Sequence, residues 1–137
     1  MTRYTALIVG ESGAYGVVFP DLPGCTAMGT TTEKAIENAA AAMRDWIDLT
    51  LEGNGAMPVA RPLEVLRKDP EVVLALSGGA SLAWVPYVRE TGRPAKANLS
   101  IDAGILAAID AEASRRKLTR SAFVELMAKH ALPELAQ

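Results

Sequence analysis

Hydrophobic and polar positions change rhythm several times along the chain, and each change marks an element. Tyr4-Thr5-Ala6-Leu7-Ile8-Val9 is rich in β-branched and aromatic side chains and predicts a strand. Gly10-Glu11-Ser12-Gly13 reads as a short connection. Tyr15, Val17 and Phe19 alternate with Gly16 and Val18, which predicts a second strand antiparallel to the first. Pro20-Asp21-Leu22-Pro23-Gly24-Cys25 reads as irregular chain, because two prolines lack backbone donors and Gly24 permits a tight bend. Thr26 to Gly29 fits a short third strand. Thr30-Thr31-Thr32-Glu33 then has the form of a capping box, with Thr30 as cap and Glu33 three residues on. From there Ile36, Ala39 or Ala40, Met43, Ile47 and Leu51 make one apolar stripe of a long helix, which Gly53-Asn54-Gly55 ends.

Residues 53–62 read as a loop containing Met57-Pro58 and Arg61-Pro62. Leu63 to Arg67 and Val72 to Leu76 predict two short helices broken by Asp69-Pro70. Ser81 to Pro86 predicts a further strand, and Arg89 to Pro94 a linker. The last segment follows a different pattern. Lys96, Asn98 and Ser100 alternate with Ala97, Leu99 and Ile101, giving one polar and one apolar strand face. Asp102 is placed to cap a helix carrying Ile105, Leu106, Ile109 and Ala113. Thr119 is placed to cap a second helix carrying Phe123, Leu126, Met127 and Ala131. A strand and two helices in about 40 residues is near the lower size for independent folding. A lone strand also leaves both edges unpaired. Together these points predict a dimer whose strands pair across a two-fold axis.

Composition adds three constraints. A hydrophobic fraction of 50% with a net charge of only −2 describes a folded chain rather than a disordered one. One cysteine, Cys25, and one histidine, His130, leave no disulfide framework and no ordinary zinc set, so no cofactor or metal is expected. Cys25 itself reads as a small buried residue, and Trp46 and Trp84 as packing residues. The chain opens without the basic-then-apolar layout of a signal peptide, and no apolar run approaches the ~18 residues of a membrane span. A cytoplasmic protein with no membrane association is therefore expected. Taken as one body, a chain of net charge −2 argues against nucleic-acid binding, but the charge is unevenly distributed. Residues 1–60 hold three basic and seven acidic side chains, whereas residues 94–137 hold six basic and five acidic ones.

At this point two resemblances enter. Lys96-Ala97-Asn98-Leu99-Ser100-Ile101 and the turn Leu118-Thr119-Arg120-Ser121-Ala122-Phe123 resemble the ribbon-helix-helix DNA-binding family. The strand Tyr15 to Phe19, the string Phe19-Pro20-Asp21-Leu22-Pro23-Gly24-Cys25, Gly29 and the helix start Thr32-Glu33-Lys34-Ala35 resemble the HicB antitoxin family. Trp46 and the Met57-Pro58 loop fit the same family, and roughly residues 61–80 match nothing specific. The resemblance implies an α+β chain in three parts. Residues 1–88 would form a truncated ribonuclease H-like domain, βββα with a further strand, that binds a small basic HicA-like ribonuclease toxin. Residues 89–93 would be a linker. Residues 94–137 would be a βαα ribbon-helix-helix domain that binds double-stranded operator DNA and represses the operon, as a homodimer that extends to a tetramer if the front domains also pair. Two rival readings are a stand-alone transcription regulator and a ribonuclease H-like nuclease.

Each reading names residues. A two-stranded ribbon in the major groove would present Lys96, Asn98 and Ser100, whose chemistries suit guanine acceptors, the adenine edge and either base. The start of the second helix, with Thr119 and Ser121 hydroxyls and the Arg120 charge, suits a phosphate. The competing expectation is a solvated strand face and a plain helix cap; Arg115, Arg116 and Lys117 read more simply as a solvated helix end. On the front domain Tyr15, Phe19 and Asp21 are the toxin-contact candidates, against packing of both rings and a merely rigid Pro20–Gly24 corner. Nuclease chemistry would need converging carboxylates. Tyr4 to Val9 and Leu82 to Val85 contain none, and Asp21, Glu33 and Glu37 are not expected to converge, so no catalytic residue is assigned and the chain is expected not to be an enzyme.

Overall fold

A computed structural model describes all residues, 1–137. Two compact units emerge. Unit 1 is Met1–Arg89 together with Pro133–Gln137, and unit 2 is Glu90–Leu132.

Unit 1 is built on four antiparallel strands in the order β3-β2-β1-β4. They are β1 (Arg3–Glu11), β2 (Ala14–Val18), β3 (Thr26–Gly29) and β4 (Ser81–Pro86). The β1–β2 hairpin pairs Glu11 with Ala14, so the first strand runs further than expected and the turn is only Ser12-Gly13. Helix α1 (Thr32–Glu52) covers one sheet face. Tyr4, Ala6, Val17, Phe19, Leu22 and Val85 pack there against Ala35, Ala39, Ala40, Met43 and Ile47. The small alanines of α1 let it lie close to the sheet.

The cap of α1 is Thr31, not Thr30. Its hydroxyl accepts the Lys34 N–H at 3.1 Å, and Glu33 contributes through the helix dipole rather than a capping box. The shift follows from tertiary contact: a Cβ at Gly29 would stand 2.4 Å from the Ala35 nitrogen. The chain must pass that point without a side chain before the helix begins.

Residues 61–80 cover the opposite sheet face. Helices α2 (Leu63–Leu66) and α3 (Pro70–Ser77) place Leu66 and Val72 on Leu7 of β1. Asp69-Pro70 does more than break a helix. The Asp69 carboxylate caps α3 by accepting the Glu71 N–H at 3.0 Å, and Pro70 occupies the first turn, where a missing donor costs nothing.

In unit 2, α4 (Ala103–Arg115) and α5 (Arg120–Leu135) occupy the predicted helical positions. The predicted strand at 95–101 is absent: the segment has no regular secondary structure, is exposed and lies outside any ladder. A strand needs a neighbour for its backbone groups, and a single chain supplies none here. The final residues belong to unit 1, where Ala136 is buried and Gln137 bonds to β4.

Candidate functional site

Lys96, Asn98 and Ser100 stand exposed on segment 95–101, and so do Ala97, Leu99 and Ile101. The apolar residues of the pattern are uncovered, with Leu99 68% exposed. Asp102 then starts α4, its carboxylate accepting the Gly104 and Ile105 N–H groups at 2.9 and 3.1 Å. The helix closes with a left-handed residue, Lys117 at φ 57°. Leu118 N–H reaches back to Ala113 O at 2.8 Å, and Lys117 N–H to Ser114 O at 3.0 Å. This is a Schellman-type stop at a position that glycine would occupy more comfortably.

Thr119 follows as the cap of α5, with its hydroxyl accepting the Ala122 N–H at 3.1 Å. Ser121 lies exposed beside it. Arg120 is the third residue predicted here, and its guanidinium is already engaged. Nε and one Nη donate to the two Asp110 oxygens, each at 2.8 Å. Both groups respond: the Asp110 carboxyl is held below, and the Arg120 guanidinium above, their ordinary values by that hydrogen-bonded pair. Arg115 and Arg116 both clasp Glu112, pulling its carboxyl down to about 2. Arg116 also lies over the Phe123 ring, 5.9 Å from its centroid. Lys129 pairs with Glu90. Of the cations in 94–137, Lys96 and Lys117 make no ion pair.

The front-domain candidates fall into different places. Tyr15 is half-buried at the rim of the α1-side core. Phe19 is 4% exposed and inside that core, so its ring is not a surface group. The Asp21 side chain is 4% exposed and turned inward. One oxygen accepts the Arg61 backbone N–H at 2.9 Å, and the other accepts Arg61 Nε at 2.5 Å. Arg61 Nη1 continues to Asp69 at 3.0 Å. These hydrogen bonds raise the Arg61 guanidinium and lower the Asp69 carboxyl. The expectation that Phe19 and Asp21 present contact atoms is therefore corrected: packing and the Arg61 clamp occupy them.

Asp21 belongs to a built corner. Leu22 and Cys25 are core residues, Trp46 Nε1 donates to Pro23 O at 3.2 Å, and Gly24 takes φ 85°. Burial raises the Cys25 thiol, which suits its packing role. The Met57-Pro58 loop is tied down by the buried Tyr4, whose hydroxyl donates to Pro58 O at 2.7 Å. Tyr87 donates to Asp48 at 2.7 Å; its burial and this bond push the phenol up to about 12. Sequence reasoning missed Arg61 and Gln137 as structural partners. The only signal for Arg61 was a cation beside a proline in a loop that had to be anchored.

A four-stranded antiparallel sheet covered by helices, followed by an exposed irregular segment and a helix pair, defines a two-unit α+β protein. No group of three or more His, Cys, Asp or Glu side chains is gathered for a metal ion. No helix is long and apolar enough to cross a membrane. Residues 4–128 match the family model described as the HicB_like antitoxin of bacterial toxin-antitoxin systems. The chain is similar to the crystal structure of the Burkholderia pseudomallei antitoxin HicB, with 29% identity and a TM-score of 0.56 over 96% of this chain and 99% of that one. The antitoxin HicB3 crystal structure resembles it at 22% identity and TM-score 0.54, over 95% and 97% of the two chains. A HicA3 and HicB3 toxin–antitoxin complex has a chain that matches at 21% identity and TM-score 0.52, over 64% of this chain and all of that one. Comparison with curated proteins returns no match. The chain belongs to the HicB-like antitoxin family.

Proposed function

We propose that the chain is a cytoplasmic, non-enzymatic antitoxin. Unit 1 neutralises a HicA-like, mRNA-cleaving ribonuclease, and unit 2 binds operator DNA as a homodimer and represses its own operon. One observation carries the DNA half. Segment 95–101 has no ladder partner, Leu99, Ile101, Ile105 and Leu118 are uncovered, and the buried apolar side chains of unit 2 are Ala113 and Phe123. So small a core is below what a unit of this size needs alone. A second copy, pairing strand to strand, covers these residues and leaves Lys96, Asn98 and Ser100 facing the groove. Thr119 and Ser121 then meet a phosphate at the start of α5, and Arg120 does so through the donors that Asp110 leaves over.

Support for the toxin half comes from family membership and from the acidic surplus of the first 60 residues. A ribonuclease needs a positive face for RNA, and an acidic domain steers onto such a face. The βββα order with a further strand supports a truncated ribonuclease H-like reading of unit 1. Tyr15 is the candidate contact that reaches the surface, while Phe19 and Asp21 act by fixing the corner beside it.

Two experiments test the halves separately. Co-expression with a HicA-like ribonuclease encoded by an adjacent short basic reading frame, where that frame alone arrests growth, should restore growth; continued arrest, or an adjacent gene of another kind, removes the antitoxin role and leaves the stand-alone regulator. In a gel-shift titration Asn98→Ala should weaken operator binding by ~1–3 kcal/mol and blur the preferred sequence. Unchanged binding refutes the ribbon assignment.

A further inference from the structure

The outer edge of β4 is occupied by a segment from elsewhere in the chain. Along an antiparallel ladder, successive residues aim their backbone groups alternately at the two sides. Tyr87 N–H donates to Thr2 O at 2.8 Å, on the β1 side. By that alternation Leu82, Trp84 and Pro86 aim outward. Pro86 has no donor, which already blunts the edge. At Trp84 both outward groups are taken. The N–H donates to Gln137 Oε1 at 2.8 Å, and the carbonyl accepts Gln137 Nε2. A primary amide offers the same donor and acceptor as a peptide group, so Gln137 stands where a fifth strand would bond.

Two further contacts hold the segment. Ala136 is buried, and its carbonyl accepts Arg3 Nη1 at 3.2 Å. The same Arg3 guanidinium lies 6.0 Å from the Trp84 ring centroid. Arg3 therefore joins the segment to the strand that it covers.

We propose that residues 133–137 form a releasable latch on the outer edge of β4. Both the latch and the strand edge that it covers belong to unit 1. The Gln137 bonds to Trp84 are exposed to water, and exposed backbone hydrogen bonds open at low cost. Opening bares the strand edge without disturbing the sheet behind it. This inference is independent of the toxin and DNA readings.

Hydrogen exchange of the full chain, read by NMR at single amides, tests it. In Gln137→Met, which keeps the bulk but loses both bonds, exchange at Trp84 should accelerate by ~tenfold or more, with Ala83 and Val85 unchanged. Arg3→Met should act in the same direction. Unchanged exchange at Trp84 in Gln137→Met overturns the latch. Equal acceleration at Ala83, Val85 and Trp84 also overturns it, because the segment would then be part of the global fold.

Discussion

Arg61→Ala perturbs the corner of unit 1 at its least exposed charge. The native Asp21 side chain is 4% exposed and receives one bond from the Arg61 amide and one from its guanidinium. The substitution leaves the amide and removes the guanidinium, so a nearly buried carboxylate loses its counter-charge. Breaking a buried pair from one side costs ~3–5 kcal/mol in general. The Arg61 side chain is 33% exposed, however, so solvent already screens it and water can enter after truncation. The expected loss is therefore about 2–3 kcal/mol, in the range of hydrogen bonds to charged groups. For a unit of this size that lowers Tm by on the order of 10 °C.

Urea denaturation followed by Trp46 fluorescence is the assay, because the Trp46 indole donates to Pro23 in the same corner. The double variant Asp21→Asn, Arg61→Met should recover at least half of the loss, since the nearly buried carboxylate is gone and the remaining one, Asp69, is 21% exposed and can be hydrated. Acid should narrow the gap between the native chain and Arg61→Ala. Arg61 lowers the folded-state value of Asp69, so that contribution is present above the ordinary carboxylate range and is lost as pH falls through the lowered one. A loss under ~1 kcal/mol at neutral pH, or no recovery in the double variant, refutes the clamp as a source of stability.

Three further outcomes follow from unit 2. Lys117→Gly relieves a left-handed lysine and should raise stability by about 1 kcal/mol in thermal unfolding; a loss contradicts the reading of the helix stop. Glu112→Gln should flatten the acid limb of the stability profile between pH 4.5 and about 2, because the lowered carboxyl stabilises the fold above its ordinary value and ceases to as pH falls through the folded one. If the variant keeps the native profile there, the Arg115–Glu112–Arg116 cluster contributes nothing. The salt dependence of operator binding should be shallow, with log K falling by about 4 per tenfold salt, as four unpaired lysines in a dimer imply. A slope beyond about −7 shows that the paired arginines also reach phosphates.

The elements legible in the sequence were those set by near neighbours. The Tyr4–Val9 strand, the Asp102 and Thr119 caps and the long helix all depend on residues within a few positions. The cap of α1 was misplaced by one residue because Thr30 and Thr31 have the same local chemistry, and the choice is made by the close approach of Gly29 to Ala35. Other contacts were illegible for a different reason. Asp21 and Arg61 lie 40 positions apart, and Trp84 and Gln137 lie 53 apart. Nothing local to either member of a pair names the other. The role of residues 61–80 did leave a trace. Ala6-Leu7-Ile8-Val9 is an unbroken apolar run, and a strand without alternation implies cover on both faces.

The overall charge of −2 reads differently once its pairing is known. Arg115, Arg116, Arg120 and Lys129 each hold an acid of their own unit, so the cations that made residues 94–137 look basic are largely neutralised locally. Bulk attraction to a phosphate backbone is correspondingly weak. Specific affinity in the proposed dimer must then come from direct contacts by Lys96, Asn98 and Ser100, duplicated by the two-fold axis, and from the start of α5. Such a binder gains little from random DNA and relies on having both half-sites correct. That is the regime in which loss of Asn98 blurs the sequence preference while the salt dependence stays shallow, and the two measurements together separate groove readout from simple charge attraction.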